Sequence, residues 1–303
     1  MPSRPLAVIG NVNVDIIIGP AVPWPTPGTE ILVDHGEIRV GGAAGNVALT
    51  WDALKIPYQI AANTGDDHFG HWLRETFKQH SHAWPVARTP TTFSVGVTHP
   101  DGERTFFTIP GHMPVLTLQQ VQDNLDIASL QGGVVLLVGS YLTDMLTQDY
   151  DALFAWLRAH GVEVALDTGW PIGGWTAETM AMTRRWLQQC HHILLNEAEV
   201  TALTDTGSVP DAMSELAKIM PETCHLVVKC GPAGAAGLYR GKRIDVSAPT
   251  VTPVDTIGAG DVFDAAYLAE IAAGSSFAAA IEAGISTASH AIATLPREYR
   301  AAG

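Results

Sequence analysis

Two carboxylates flank a glycine loop in Asp255-Thr-Ile-Gly-Ala-Gly-Asp261, and the second opens the apolar run Val262-Phe-Asp-Ala-Ala-Tyr-Leu-Ala-Glu-Ile271. Gly258 and Gly260 let backbone approach a ligand closely and adopt positive φ. If a helix starts here, the N–H groups of Ala259, Gly260 and Asp261 point out of its N-terminus, where the macrodipole favours an anion. A carboxylate at that spot can accept a proton from a hydroxyl while the amides hold a negatively charged group. That is the equipment of phosphoryl transfer, in which positioning and charge stabilisation carry most of the catalysis. The same residues also fit an ordinary Asp N-cap after a glycine turn, so the loop alone leaves both readings open.

Three further stretches bear on the choice. Gly41-Gly42-Ala-Ala-Gly-Asn46 is a second glycine-rich entry into a helix. The first apolar run, Leu6 to Ile17, is interrupted by Asn13 and Asp15. A buried carboxylate costs several kcal/mol unless partnered, so Asp15 is expected at a strand end facing something polar. Asn196-Glu-Ala-Glu199 follows the apolar Ile193-Leu-Leu195, and Val227-Val-Lys229-Cys-Gly231-Pro-Ala-Gly234 is a strand running into glycines.

Taken together, these residues resemble the ribokinase-like (PfkB-type) carbohydrate kinase family, and the correspondence runs in order from Ile9-Gly10 to the helix after Asp261. The two glycine blocks at 41–46 and 255–261 are its signatures, with Asn196, Glu199, Lys229 and Gly231 between them. The resemblance implies ATP and Mg²⁺ as cofactors and allows a monovalent cation such as K⁺. It makes Asp261 the base that takes the sugar hydroxyl's proton, and the amides of Gly258, Ala259 and Gly260 an anion hole for the transferring phosphoryl group. Asp255 and Thr256 begin the same loop. Asn196 and Glu199 match the residues that organise Mg²⁺ through its waters, although an N-cap with an acidic first turn fits them as well. Lys229, Gly231 and Gly234 match the nucleotide side. Lys229 stands where the family commonly has threonine, which opens a direct phosphate role for its ammonium. Asn13, Asp15, Gly41, Gly42 and Asn46 match sugar-binding positions, where carboxylate and amide groups suit a polyol. Asp167-Thr-Gly-Trp170 lacks the Asn and Arg that the family often carries there, which argues against a phosphate-bearing acceptor.

The bulk properties agree. The chain has 303 residues, enough for one large α/β domain, with 17 basic against 31 acidic residues and a formal charge of −14. Such a surplus argues against nucleic acid or an anionic membrane as partner. Three cysteines form no regular framework, which points to a reducing, cytoplasmic setting. Cys190-His-His192 and Cys224-His225 match no common zinc spacing, and no Gly-x-Ser-x-Gly elbow marks a hydrolase.

Apolar runs at about 5–10, 58–62, 134–138, 162–166, 192–195 and 225–229 alternate with helical patterns at about 44–55, 67–79, 117–128, 148–160, 178–190, 211–220, 261–273 and 276–293. This predicts a single ribokinase-like α/β domain over 1–303, its mostly parallel sheet flanked by helices. Residues 16–40 and 92–109 break the rhythm with alternating runs, joined in the second case by an Asp101-Gly102 turn. They predict a small β-sheet lid which, by the resemblance, covers the sugar and joins a homodimer. Two alternatives stay open: a nucleoside kinase of the same superfamily, and a non-catalytic sugar- or nucleotide-binding regulator.

Overall fold

The computed structural model describes residues 3–100 and 104–299. Its central sheet has eight strands, in the spatial order Lys242–Val246, Ala235–Tyr239, His225–Lys229, His192–Asn196, Glu163–Asp167, Val134–Val138, Leu6–Ile9 and Tyr58–Ala61. All pairings from His225–Lys229 through Tyr58–Ala61 are parallel. These are the six expected strands. They read as continuous apolar runs because helices cover both faces, and Val134–Val138 is buried at every residue. The remaining two strands are antiparallel and were not anticipated. Lys242-Arg-Ile-Asp-Val246 is polar and half exposed, as an edge strand can be, so hydrophobic periodicity does not reveal it.

Helices Ala43–Leu54, Ala259–Ala273 and Phe277–Ala293 close one face of the sheet around Val8, Trp51, Tyr267 and Ile281. Helices Tyr150–Ala159, Ala177–Leu187, Glu197–Thr204 and Val209–Leu216 close the other around Ile9, Leu137, Phe154 and Trp186. Three expectations are corrected here. The helix expected over 117–128 stops at Asn124, because Leu125 turns extended and buries its side chain beside Leu130. The helix expected over 148–160 is two pieces, Asp144–Gln148 and Tyr150–Ala159. Glu197–Thr204 is a helix that periodicity did not flag; with eight residues it is too short to show a clear period.

A second, four-stranded sheet has the order His35–Gly41, Asn13–Gly19, Phe93–Thr98, Arg104–Ile109, in agreement with the lid segments. The Asp101-Gly102 turn lies outside the described residues. The run from Leu6 to Ile17 is not one strand: the core strand ends at Ile9, and a second strand begins at Asn13 in the lid. Asp15 therefore belongs to the lid, inside a strand rather than at the end of one. Directly paired residues share a face. Asp15 forms a row with Arg39, Ser94 and Thr108, and next to it Ile17 forms one with Glu37, Gly96 and Phe106. The opposite face carries the row Ile38, Ile16, Val95 and Phe107.

Candidate active site

Asp167, Asn196 and Lys229 are the last residues of three neighbouring parallel strands, and Asn196 and Lys229 stand opposite each other in register. The carboxyl ends of such strands are where ligands bind in open α/β sheets. Over them lies the N-terminus of helix Ala259–Ala273, entered through Gly258 at φ 73°. A side chain on Gly258 would sit 2.6 Å from Asn46 Nδ2, so glycine is required for both conformation and space. The amides of Gly258, Gly260 and Asp261 have no hydrogen-bond partner among the described residues. Ala259 is different: its N–H donates to Thr256 O at 3.2 Å, closing the turn, and so is not free for an anion as the sequence had indicated.

Asp261, in the first turn of this helix, accepts a hydrogen bond from Asn46 Nδ2 at 2.8 Å. Burial, helped by the nearby charge of Asp167, pushes its carboxyl up to about 6, against the pull of Asn46 and Lys229. Such a group is anionic at neutral pH yet basic enough to take a proton.

Beneath the loop, Lys229 Nζ donates to Asp167 Oδ2 at 2.8 Å and to both carboxyl oxygens of Asp264 at 3.0 Å. The ammonium for which the sequence left a direct phosphate role open is thus already paired inside the protein. It nonetheless lies close under the anion loop, 3.3 Å from where a side chain on Gly260 would begin. Burial opposes the charge on Lys229, but Asp167, Asp264 and Glu199 outweigh it and raise its pKa. Burial also drives Asp264 well above the usual carboxylate range. Asp167 is held below that range, because Lys229, Asp264 and the Gly169 amide overcome its desolvation.

Asn196 and Glu199 form a reciprocal cap. Glu199 N donates to Asn196 Oδ1 at 2.9 Å, and Asn196 N donates to Glu199 Oε2 at 2.8 Å. The alternative noted in the sequence, a helix cap, is therefore present. Glu199 is also pushed up to about 7 by burial and by Asp167. Gly231 and Gly234 shape the turn after Lys229, closed by Cys230 N donating to Gly234 O at 2.8 Å.

On the lid side, Asn11 Nδ2 donates to Asn13 Oδ1 at 3.3 Å and Asn13 Nδ2 donates to Asp15 Oδ1 at 2.8 Å, a buried chain ending on the carboxylate. Any side chain at Gly41 would collide with Asp15's carboxyl group. Gly42, at φ 83°, turns the chain into helix Ala43–Leu54 and so delivers Asn46. Burial raises the Asp15 pKa, opposed chiefly by Arg39.

Asp255 and Thr256 were expected on the nucleotide side, and the structure instead surrounds them with lid and C-terminal arginines. Asp255 is paired with Arg39, with Arg104 Nη2 at 3.2 Å, with Arg297 Nη2 at 2.9 Å and with the Ile257 amide at 3.0 Å. Arg104 Nη1 also donates to Thr256 Oγ1 at 2.9 Å. Desolvation of Asp255 is overcome by Arg39, Ile257 and Arg297, which leave its pKa low. Sequence reasoning missed Arg39, Arg104, Arg297 and Asp264. Arg39 carried a usable signal, since it lies two residues before Gly41 and so on the same strand face; the others did not. Trp24 stacks on His99 of the lid with ring centroids 5.2 Å apart.

A family model described as pfkB family carbohydrate kinase matches residues 3–295. The chain belongs to that family. Among characterised pfkB relatives, it is 26% identical to a ribokinase of Arabidopsis thaliana over 287 residues, covering 90% of this chain and 72% of the other. It is 29% identical over 254 residues to a fructokinase of Klebsiella pneumoniae, covering 80% and 81%. The fold matches the structure of Arabidopsis thaliana ribokinase complexed with ribose and ATP (TM-score 0.78, 23% identity, 97% and 94% of the chains). It also matches a Vibrio cholerae O395 fructokinase double mutant in fructose-, ADP- and potassium-bound form (TM-score 0.79, 21% identity, 97% and 94%).

The donor set of this pfkB site suits a hydrated divalent cation. No group of three or more His, Cys, Asp or Glu among the described residues is arranged to hold a metal directly. Yet burial, with the charge of Asp167 beside it, raises both Glu199 and Asp261. Glu199 and Asn196 could hold a hydrated divalent cation, whose charge would offset the burial of the Glu199 carboxylate.

Proposed function

We propose that this pfkB-family protein transfers the γ-phosphoryl group of ATP to a hydroxyl of a small carbohydrate. The observation that carries the reading is Asp261: a carboxylate held by Asn46 in the same loop-to-helix turn as three amides without partners among the described residues, with a pKa pushed up to about 6. The acceptor hydroxyl lies against Asp261, and its proton passes to the Asp261 carboxylate as its oxygen bonds to the γ-phosphorus. The bond from that phosphorus to the β–γ bridging oxygen breaks, and ADP leaves with the electron pair. The amides of Gly258, Gly260 and Asp261 meet the charge on the transferring group. Mg²⁺, held through water by Glu199 beside Asn196, neutralises phosphate charge when bound. Asp15, Asn13 and the backbone at Gly41 and Gly42 orient the polyol.

Acceptor-dependent ADP release by the purified chain, assayed with ATP, Mg²⁺ and a panel of sugars and nucleosides, tests the reading. Turnover only with nucleosides would favour the nucleoside kinase, and binding without turnover the regulator. Repeating the assay across a K⁺ titration tests the monovalent cation. We also propose a homodimer through the lid face that bears Ile38 and Phe107, 58% and 55% exposed. Light scattering that shows a single chain's mass at micromolar concentration would end that idea. The register separates Phe106, on the face of Arg104, from Ile109 and Phe107 on the apolar face, so the dimer surface includes Ile109 and not Phe106.

A further inference from the structure

The chain crosses between the core and the lid sheet at residues 10–12, 42, 88–92 and 110–112. His112, in the last of these stretches, is buried, and its imidazole ties it to two of the others. Nε2 lies 3.0 Å from Val12 O, and Nδ1 lies 2.9 Å from the Thr92 amide nitrogen. A carbonyl can only accept and an amide N–H can only donate, so Nε2 carries the proton and Nδ1 offers its lone pair. Burial pulls the ring down to about 4, against the Val12 carbonyl and the charge of Asp67, so the neutral ring keeps that tautomer. Gly111, at φ 52°, lets the chain come this close: a side chain there would begin 2.6 Å from Thr92 N. The backbone of His112 is in turn anchored to the core, since Asn63, just after strand Tyr58–Ala61, donates from Nδ2 to His112 O at 2.6 Å.

Position connects this ring to the acceptor side. Val12 leads directly into strand Asn13–Gly19, which carries Asn13 and Asp15. Thr92 leads into the neighbouring strand Phe93–Thr98, and Val14 N donates to Thr92 O at 3.1 Å. Bonds of that kind hold the lid strands to one another and leave open where the pair stands on the core. The imidazole acts on that second question, because it ties the carbonyl just before Asn13 to a residue fixed by Asn63. Ala44 N, donating to Asn11 O at 3.1 Å, ties the same crossing to helix Ala43–Leu54 one residue earlier. Asp261 stands on a core helix and Asp15 on the lid, so their relative placement is set across these crossings.

We propose that His112 is a positioning residue for the acceptor: its Nε2–H bond to Val12 O sets where Asn13 and Asp15 stand relative to Asp261. The inference rests on the kinase reading above and adds to it a residue that acts through Val12 and not on the substrate.

Two substitutions separate the two bonds. A glutamine amide nitrogen can take the place of Nε2 and donate to Val12 O, whereas an asparagine carbonyl can take the place of Nδ1 and accept from Thr92 N. The whole chain, with ATP and Mg²⁺, is assayed on D-ribose or D-fructose, whichever the wild-type protein phosphorylates. His112→Asn should raise the acceptor KM about tenfold, as binding must restore the strand at the cost of about one hydrogen bond. His112→Gln should raise it less than about threefold, and the ATP KM of both variants should stay within about twofold of wild type. A merely structural histidine predicts equal effects in the two variants, or acceptor and ATP KM values that rise together, and either result overturns the proposal. An unchanged acceptor KM in His112→Asn does so too. Should His112→Asn not fold, amide hydrogen exchange of His112→Gln decides: wild-type protection over residues 13–19 keeps the proposal, and faster exchange there overturns it. If neither sugar is phosphorylated, that failure belongs to the kinase reading, and exchange is compared between the two variants. Faster exchange over 13–19 in His112→Asn than in His112→Gln keeps the positioning role, and equal exchange overturns it.

Discussion

The floor under the glycine loop and the wall formed by the lid are built with opposite charge. Under the loop, one ammonium, Lys229, serves Asp167 and Asp264, while burial, with Asp167 nearby, pushes Glu199 and Asp261 up. On the lid side, three guanidiniums crowd one carboxylate, Asp255. Under the proposed function, nucleotide phosphates would meet the acidic side together with a divalent cation, so carboxylates are tolerable there. The acid-rich side is also deeper: Lys229 and Asp264 side chains are 11% and 0% exposed, against 18% for both Arg39 and Arg104.

The contrast breaks most directly at Asp261. Asp261→Asn keeps the hydrogen bond with Asn46 but removes the base, and kcat should fall by about 10²–10⁴-fold with ATP affinity retained. A variant that keeps more than a tenth of the wild-type kcat would take Asp261 out of this role.

The next effect belongs to the buried floor. Lys229→Met leaves Asp167 buried without its cation, and urea unfolding should show a loss of about 3–5 kcal/mol. Asp264→Asn should cost less, because Asp167 still holds the ammonium and a carboxamide keeps an acceptor for it. Equal losses in the two variants would show that Asp264 carries charge in the folded protein.

On the acceptor side, Asp15→Ala should raise the sugar KM about tenfold to 100-fold, the scale of hydrogen bonds to a charged group, with the ATP KM nearly unmoved. Parallel rises in both KM values would mean that the lid and the floor are not separate sites.

The smallest effect is a shift in pH dependence. Asp261 must be anionic to accept a proton, and its pKa is raised, so kcat/KM should hold above about pH 6 and fall as pH drops through that value. Asn46 stabilises the anion, so Asn46→Ala should move this limb to higher pH. A limb that stays in place or moves down would assign the titration to another group.

Much of the frame was legible in the chain itself. The parallel strands announced themselves as unbroken apolar runs, because both faces of the sheet are covered. The anion loop was legible because Gly258, Gly260 and Asp261 are contiguous and each type has a local reason to be there. Asn196 and Glu199 were found for the same reason, being three residues apart on one helix turn.

What local sequence could not decide was pairing between distant segments. For Lys229 the sequence left a direct phosphate role open, and tertiary structure brought Asp167 and Asp264 onto it from another strand and a helix. Asp255 read as part of the nucleotide loop until the lid and the C-terminal segment supplied its arginines. Asp15 read as an anomaly in a core strand until the chain turned after Ile9 and carried it into the lid. By itself the sequence determined the βα framework and the glycine loops, and it singled out Asp261 as a candidate base, all from residues close in the chain. Only the tertiary structure decided which charges meet, because electrostatic partners are set by distance in space and by burial, and neither is encoded in spacing along the chain.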